Sequence, residues 1–504
     1  MWALCLLAVT ACDGQAAKRQ VEPGGPPGEP LPLPPLEEAP PPIPNEGPCA
    51  LDLTEVAVYQ AVKVPLAGLG PDGVLAPASI RNADLVAGRP ALIRAFATPR
   101  LDWQGVATAR LTLTSSAGTR TFDATNDLRR PSTDLQFDST FNFQVPGDAV
   151  FADSAWRLDV VSPASCGTLA SARVPVPGLS QPLGARATGV LKVMIVPIAY
   201  QTDASGRLPD LTEIQLERYR SLLMSMYPVT SVSLQVRDTV TTELGVSAAA
   251  GWEDLLDALR QLRQKDRAPA DLHYYGVINP AATFSSYCGR GCTAGIAYVS
   301  KDRQPALRVG VGVGFTGQFA ALTLAHELGH QHGRFHSPCN VDGDPTFPYE
   351  RGSVGVWGYD ASSNRLIDPA GFSDIMGYCS PSWVSDFTYQ GFLEYAALLQ
   401  SQPEGQALSV ATTWKVLLVS PLGRPRWGHP ITTTEAPSGA RETATILDAS
   451  GAVVATPTVY RTSIADSGSS LVWVPLPEEG WESIVVAGAQ PHPFSAPIET
   501  PTLR

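Results

Sequence analysis

The sequence predicts a chain of several domains, in which an α/β domain with a mostly parallel twisted sheet lies between two β-sandwich domains. Across residues 186–403, predicted strands alternate with predicted helices, which is the order typical of a parallel sheet. Residues 49–178 and 404–504 carry short alternating runs of apolar and polar residues separated by turns, as in β-sandwiches of the immunoglobulin type. The length of 504 residues accommodates about three domains.

The elements of the α/β domain are predicted from local patterns. The continuous apolar run at residues 189–198 indicates a buried strand, and residues 211–226 have helical periodicity that ends before Pro228. An amphipathic helix is predicted at 252–264, with its leucines on one stripe. Further strands are predicted at 232–240, 272–278, 294–299 and 307–313, directly before the segment that carries the chemistry.

That segment, residues 326–336, holds four of the seven histidines and reads H-E-x-x-H-x-x-G-x-x-H. If the helix predicted for 319–325 continues, His326 and His330 lie one turn apart on one face, and both can bind one metal ion about 2.0–2.1 Å away. Gly333 can adopt a left-handed conformation that ends the helix, so that His336 approaches from another direction. The three histidines are therefore the predicted zinc ligands.

Three neutral imidazoles leave a fourth position for water, which is typical of a catalytic zinc site. Glu327 lies beside His326, where it could act as general base on a water whose pKa zinc lowers to about 7. His332 is not at a ligand position and is expected to be exposed or locally hydrogen-bonded. The alternatives are a helix with scattered histidines and a decayed site in a non-catalytic relative.

The motif and the downstream segment 373–379 together resemble the metzincin family of zinc endopeptidases. The resemblance implies that Met376 is the Met-turn residue beneath the metal, and that Tyr378 is the tyrosine of astacin-like and serralysin-like members, which hydrogen-bonds the oxyanion. Asp374 stands where those relatives often have Ser, and residues 356–360 and 383–386 fit no well-known subgroup. The subfamily is therefore undetermined.

The resemblance also implies a metzincin catalytic domain at 186–403, with one antiparallel edge strand above the cleft. Residues 295–298 are the candidate for that edge, and an extended protein or glycoprotein substrate could pair with it. The alternative is an edge strand with only a structural role.

Residues 1–12 are a short apolar run that ends in Val9-Thr10-Ala11-Cys12, and they resemble a bacterial lipoprotein signal with lipidation at Cys12. A plain secretory signal is the alternative. Residues 13–48 are rich in Pro, Gly and Glu and are predicted to be an extended linker. We expect export and a lipid anchor at the cell envelope or surface, with release from the cell as a second outcome.

Six further cysteines, an even number in an exported chain, predict disulfides, and six cysteines allow fifteen connectivities. The preferred pairs are Cys49–Cys166, Cys288–Cys292 and Cys339–Cys379, of which the last would tie the loop after His336 to the Met-turn.

The formal charge of −12 argues against nucleic-acid binding, which usually needs a basic face. We expect a monomeric, surface-anchored zinc endopeptidase that hydrolyses proteins. The alternative is a catalytically inactive metal-binding adhesin or glycoprotein-binding lipoprotein, favoured by the flanking β-domains. A calcium ion is a further candidate at the loop Asp342-Gly343-Asp344.

Overall fold

The computed structural model describes residues 49–101, 103, 105–175, 179–289, 291–300, 304–400, 410–437, 439–498 and 503–504. The signal and lipid-modified Cys12 predicted for residues 1–12, and the linker predicted for 13–48, lie outside the described residues. Within the part of the chain that the structure describes, no helix is both long and apolar enough to cross a membrane. The described residues form three regions of one compact unit.

The N-terminal region is built of antiparallel strands in two main sheets. One sheet pairs β1 with β4 and β4 with β7, and the other pairs β5 with both β6 and β8. Both sheets contribute inward-facing residues such as Val58 and Leu111 to one buried core, as in a β-sandwich. The strands are β1 (Leu51–Leu69), β2 (Leu75–Pro77), β3 (Leu85–Val86), β4 (Ala91–Pro99), β5 (Val106–Ser115), β6 (Gly118–Asp127), β7 (Phe141–Val145), β8 (Ala155–Ser162), β9 (Arg173–Val174), β10 (Gln181–Pro182) and β11 (Ala185–Arg186).

The central region contains five helices and a sheet that alternates with them. The helices are α1 (Glu213–Met226), α2 (Trp252–Lys265), α3 (Phe284–Cys288), α4 (Gln318–Gln331) and α5 (Asp386–Gln400). The strands are β12 (Val190–Tyr200), β13 (Ser231–Val236), β14 (Val240–Thr242), β15 (Leu272–Ile278), β16 (Gly295–Ala297), β17 (Val309–Val313), β18 (Gly358–Asp360), β19 (Arg365–Ile367), β20 (Ser373–Asp374) and β21 (Ser382–Trp383).

The central sheet has the order β13-β12-β15-β17-β16, with β14 beside β12. Its strands pair in parallel except β16, which runs antiparallel to β17 at one edge. Every residue of β15 and β17 is buried, because helices cover both faces of the sheet. Helix α2 packs into the core on one face, and α1 and α4 pack into the core on the other.

The C-terminal region is a second pair of antiparallel sheets. The strand orders are β23-β22-β28-β27-β24 and β26-β25-β29-β30. Residues from both sheets, including Val472 and Ile446, share a buried apolar core. The strands are β22 (Thr412–Val419), β23 (Pro425–Thr433), β24 (Ala440–Thr443), β25 (Thr445–Leu447), β26 (Val453–Ala455), β27 (Thr458–Ser463), β28 (Ser470–Val474), β29 (Ser483–Val485) and β30 (His492–Pro493).

Two segments of the central region attach to the N-terminal region. The hairpin β18–β19 extends the N-terminal sheet by pairing with β1, and it does not join the central sheet. The buried indole N–H of Trp383 donates to the carbonyl oxygen of Ala61 at 3.0 Å. The segments 356–360 and 383–386, which fit no well-known subgroup, are therefore the ones that contact the N-terminal region. The domain limits predicted from the sequence do not indicate that these two segments contact the N-terminal region.

A buried charge pair joins the C-terminal region to helix α2. The Asp257 carboxylate accepts a hydrogen bond from Arg260 Nε at 3.0 Å and lies 2.9 Å from His429 Nδ1, while Arg260 also donates to the His429 carbonyl oxygen. Burial raises the pKa of Asp257, but the charge of Arg260 and the His429 hydrogen bonds outweigh it and hold that pKa below its usual range. Around this pair, Leu418 and Trp473 belong to one apolar core with α2 and the central sheet.

We expect Asp257→Asn to lower the free energy of unfolding by about 3–5 kcal/mol, because it leaves the fully buried guanidinium of Arg260 without its counter-charge. Denaturant unfolding of the chain measures the loss. The control is Asp123→Asn, which breaks the surface pair Arg110–Asp123 and should change little. An unfolding midpoint for Asp257→Asn equal to that of the parent would contradict the interpretation.

Candidate metal centre

Three histidines converge at the end of helix α4. His326 and His330 lie one turn apart on the helix, and their Nε2 atoms are 3.0 Å from each other. The helix ends at Gln331, and Gly333 has φ 76°, a left-handed conformation that favours glycine. The chain therefore turns back and brings the ring of His336 to within 4.8 Å of the His330 ring.

Backbone carbonyls orient the first two imidazoles. His326 Nδ1 lies 2.7 Å from the Ile375 oxygen, and His330 Nδ1 lies 2.7 Å from the Arg334 oxygen. Because a carbonyl oxygen only accepts, each Nδ1 must carry a proton, so that in the neutral ring Nε2 presents its lone pair to the centre. Burial lowers the pKa of His330 to about 4, so this imidazole is neutral, which is the form that binds metal.

Glu327 lies at the base of a cleft of about 740 Å³. Its side chain is buried, and burial together with the charge of Asp466 raises its pKa well above the usual range. A bound dication would oppose that shift by its own charge. Gly295 gives the carboxylate its space, since a Cβ there would meet Glu327 Oε1 at 2.6 Å. The cleft is also lined by the wall residues Trp252, Leu322, Thr323, Ile375 and Ser380.

Met376 packs beneath the histidines without contributing a ligand. It is 1% exposed and lies against α4 at Gly329, where a Cβ would collide with its sulfur. Asp374 holds the turn in place, because its buried carboxylate accepts hydrogen bonds from the backbone N–H groups of Met376 at 2.8 Å and Ser385 at 2.9 Å. Asp374 therefore has a structural role in this turn.

The Tyr378 side chain reaches the centre from the Met-turn. It is 49% exposed, and its hydroxyl donates a hydrogen bond to Asp466 Oδ1. Its backbone N–H donates to the Cys339 oxygen at 2.9 Å, and the disulfide Cys339–Cys379 joins the same two segments. The structure also joins Cys49 to Cys166 and Cys288 to Cys292, which are the three pairs preferred from the sequence.

Two other histidines pack behind the centre. His332 is buried and makes a local hydrogen bond with the Leu328 oxygen at 2.7 Å, which is the second of the two environments expected for it. Its ring stacks on that of His273, with 4.8 Å between the centroids. At the loop proposed for calcium, Asp344 accepts hydrogen bonds from Thr346, and no group of three His, Cys, Asp or Glu side chains converges there among the described residues.

Asp466, which no sequence pattern indicated, joins the centre from the C-terminal region. The ligand atoms of His326, His330, His336 and Asp466 all lie within 4.8 Å of one another. Asp466 lies on the turn between β27 and β28, and its neighbours Ser467 and Gly468 make it resemble an ordinary turn aspartate. No spacing rule links that turn to the histidine motif, so only tertiary structure identifies it.

The donor set fits a zinc ion. Imidazole nitrogen and carboxylate oxygen are common zinc ligands, and ligands about 2.0–2.1 Å from a tetrahedral ion lie about 3.4 Å apart. Asp466 Oδ2 lies 3.2 Å from His330 Nε2 and has no hydrogen-bond donor among the described residues. A buried carboxylate oxygen that faces an imidazole lone pair is unfavourable unless a cation lies between them.

Comparison with known proteins agrees with this chemistry. Residues 308–387, which include α4, all three histidines and the Met-turn, match the family model described as Peptidase M66. No curated protein matches the chain. The family match supports a peptidase of the metallopeptidase type.

We expect Gly329→Ala to destabilise the protein. Alanine favours a helix over glycine by about 1 kcal/mol, but the new Cβ would displace Met376 and lie 3.2 Å from Phe392 Cζ, and such overpacking costs about 1–3 kcal/mol. The measurements are the unfolding midpoint and the rate of zinc loss to a chelator.

The double variant Gly329→Ala with Met376→Ala tests the cause, because it removes the side chain that the new Cβ would displace. We expect this variant to be less destabilised than the sum of the two single variants. A Gly329→Ala protein that is as stable as the parent would show that the helix and the Met-turn do not pack this closely.

Proposed function

We propose that this protein is a zinc-dependent endopeptidase of the metzincin type. The observation that carries the proposal is the convergence of the His326, His330 and His336 side chains beside Glu327 at the base of an open cleft. The family match over 308–387 supports the same class of reaction. The mostly parallel sheet with one antiparallel edge, β16, is the arrangement that the metzincin resemblance implies.

His326, His330 and His336 would hold the zinc ion. When bound, zinc would polarise the scissile carbonyl group and make water acidic enough to supply a nucleophile near neutral pH. The carbonyl oxygens of Ile375 and Arg334 keep two of the imidazoles in the tautomer that presents Nε2 to the ion.

Glu327 transfers a proton, and Tyr378 donates a hydrogen bond to the oxygen that becomes negative. Glu327 takes a proton from the attacking water and delivers it to the leaving amine, a role that its position in the cleft beside the three histidines supports. The Tyr378 hydroxyl, once released from Asp466, donates a hydrogen bond to the oxygen on which negative charge develops.

A protein or glycoprotein is the substrate class that the cleft favours. Glu327 and Gly295, the first residue of the edge strand, both line the cleft, so an extended peptide could pair with the strand while its side chains enter the cleft. We also propose that the lipid anchor expected at Cys12 holds the enzyme at a membrane surface. Metabolic labelling with palmitate, compared with Cys12→Ser, tests the anchor.

We expect Glu327→Gln to retain one zinc ion per chain and to lose about 10²–10⁴-fold in the rate of peptide cleavage, because the amide cannot accept the proton. Cleavage of a denatured protein is followed over hours, and zinc is counted by elemental analysis. Chelation should abolish parent activity, and added zinc should restore it.

The control is Glu217→Gln on the exposed face of α1, which should cleave like the parent. Cleavage at the parental rate by zinc-loaded Glu327→Gln would contradict the assigned role. One zinc per chain with no cleavage by the parent or any variant would favour the alternative, a metal-binding adhesin.

A further inference from the structure

We propose that residues 463–466 are an inhibitory segment built into the chain: they pair with the edge strand where substrate would bind, and they place the Asp466 carboxylate as a fourth ligand of the metal. This inference rests on the proposed function, because an inhibitory role requires an enzymatic activity at this site. It assigns a regulatory role to the C-terminal region that neither the family match nor the histidine motif implies.

The segment pairs with the edge of the central sheet. The Val299 N–H donates to the Ser463 oxygen at 3.0 Å, and the Ala465 N–H donates to the Ala297 oxygen at 2.9 Å. Tyr298 and Ile464 form an antiparallel bridge. The other side of β16 is already paired with β17, so the segment occupies the side of the edge strand that an added strand would need.

The carboxylate of Asp466 occupies the ligand position that a catalytic site leaves to water. Its Oδ1 lies 3.2 Å from His336 Nε2, and its Oδ2 lies 3.2 Å from His330 Nε2 and 3.7 Å from His326 Nε2. These separations are close to the value of about 3.4 Å expected between ligands of one tetrahedral zinc ion. The centre therefore has four protein ligands, which is typical of a closed zinc site.

Packing on both sides of the segment holds it in this position. Ile464 is 2% exposed and belongs to the apolar core that α2 shares with the C-terminal region. On the other side of Asp466, the Ser469 hydroxyl donates to Glu253 on α2 at 2.8 Å. Asp466 itself has φ 63°, a conformation that aspartate adopts more readily than most residues.

The same contacts keep the catalytic groups from substrate. The Tyr378 hydroxyl is engaged by Asp466, and the part of the edge strand at Ala297 is covered, while the cleft beside Thr293 and Gly295 stays open. Since the C-terminal region shares its core with α2, opening is a local movement of the turn and not a separation of regions. The full chain is thus largely but not completely latent, and cutting or displacing this turn would release its full activity.

The experiment compares the full chain with Asp466→Gly after cobalt(II) replaces zinc. Glycine keeps the left-handed conformation at this position while it removes the carboxylate. The visible absorption of the cobalt centre reports its ligands without any turnover. Acetohydroxamate, a small chelator that needs an open ligand position, is titrated against that absorption. Hydrolysis of a denatured protein is recorded in parallel with the zinc-loaded samples.

We expect the absorption spectrum to change in Asp466→Gly and the apparent Kd for acetohydroxamate to fall by about 10–100-fold. This range corresponds to a parent in which the open form is about 1–10% of the molecules. Hydrolysis of the denatured protein should be faster with zinc-loaded Asp466→Gly than with the zinc-loaded parent. Asp448→Gly, in an exposed turn between β25 and β26, is the matched control and should behave like the parent.

Equal spectra and equal acetohydroxamate affinities for parent and Asp466→Gly would overturn the inference and leave the proposed function intact. A spectral change without hydrolysis by any variant would support Asp466 as a ligand and contradict the endopeptidase. If Asp466→Gly does not fold, Asp466→Asn makes the same comparison, because it retains the shape and removes the charge.

Discussion

The structure depends on the close approach of helix α4 to its neighbours on two sides. On the sheet side, Gly295 leaves the space in which the Glu327 carboxylate lies. On the opposite side, Gly329 lets the Met376 sulfur pack directly against the helix backbone. A larger side chain at either glycine would push the helix away, and the imidazoles move with the helix. The geometry of the centre is therefore set by backbone packing before any ligand binds.

The centre combines short-range and long-range contributions. Two candidate ligands come from one turn of a helix, the third follows a left-handed glycine, and the carbonyl oxygens of Ile375 and Arg334 each accept a hydrogen bond from one imidazole. The fourth group, Asp466, arrives from a region that shares an apolar core with α2. This origin links the centre to the C-terminal region, so that region contributes to the site and does not merely separate it from a surface.

The sequence predicted what short spacings control. The helix through His326, the strand at 272–278 and the packing position of Met376 follow local rules of periodicity and motif spacing. The residues of β23 do not predict a strand by themselves, because their prolines and glycine interrupt the alternating pattern, although an edge strand tolerates them. The pairing of β18 with β1 and the position of Asp466 depend on contacts between distant segments, which no local pattern records.

The most direct test of the account is anomalous diffraction at the zinc absorption edge, from crystals of the full chain grown with zinc. The account predicts one strong peak per chain, about 2.0–2.1 Å from Nε2 of His326, His330 and His336 and within reach of the Asp466 carboxylate. A chain saturated with zinc whose only peaks lie away from these three imidazoles would contradict it.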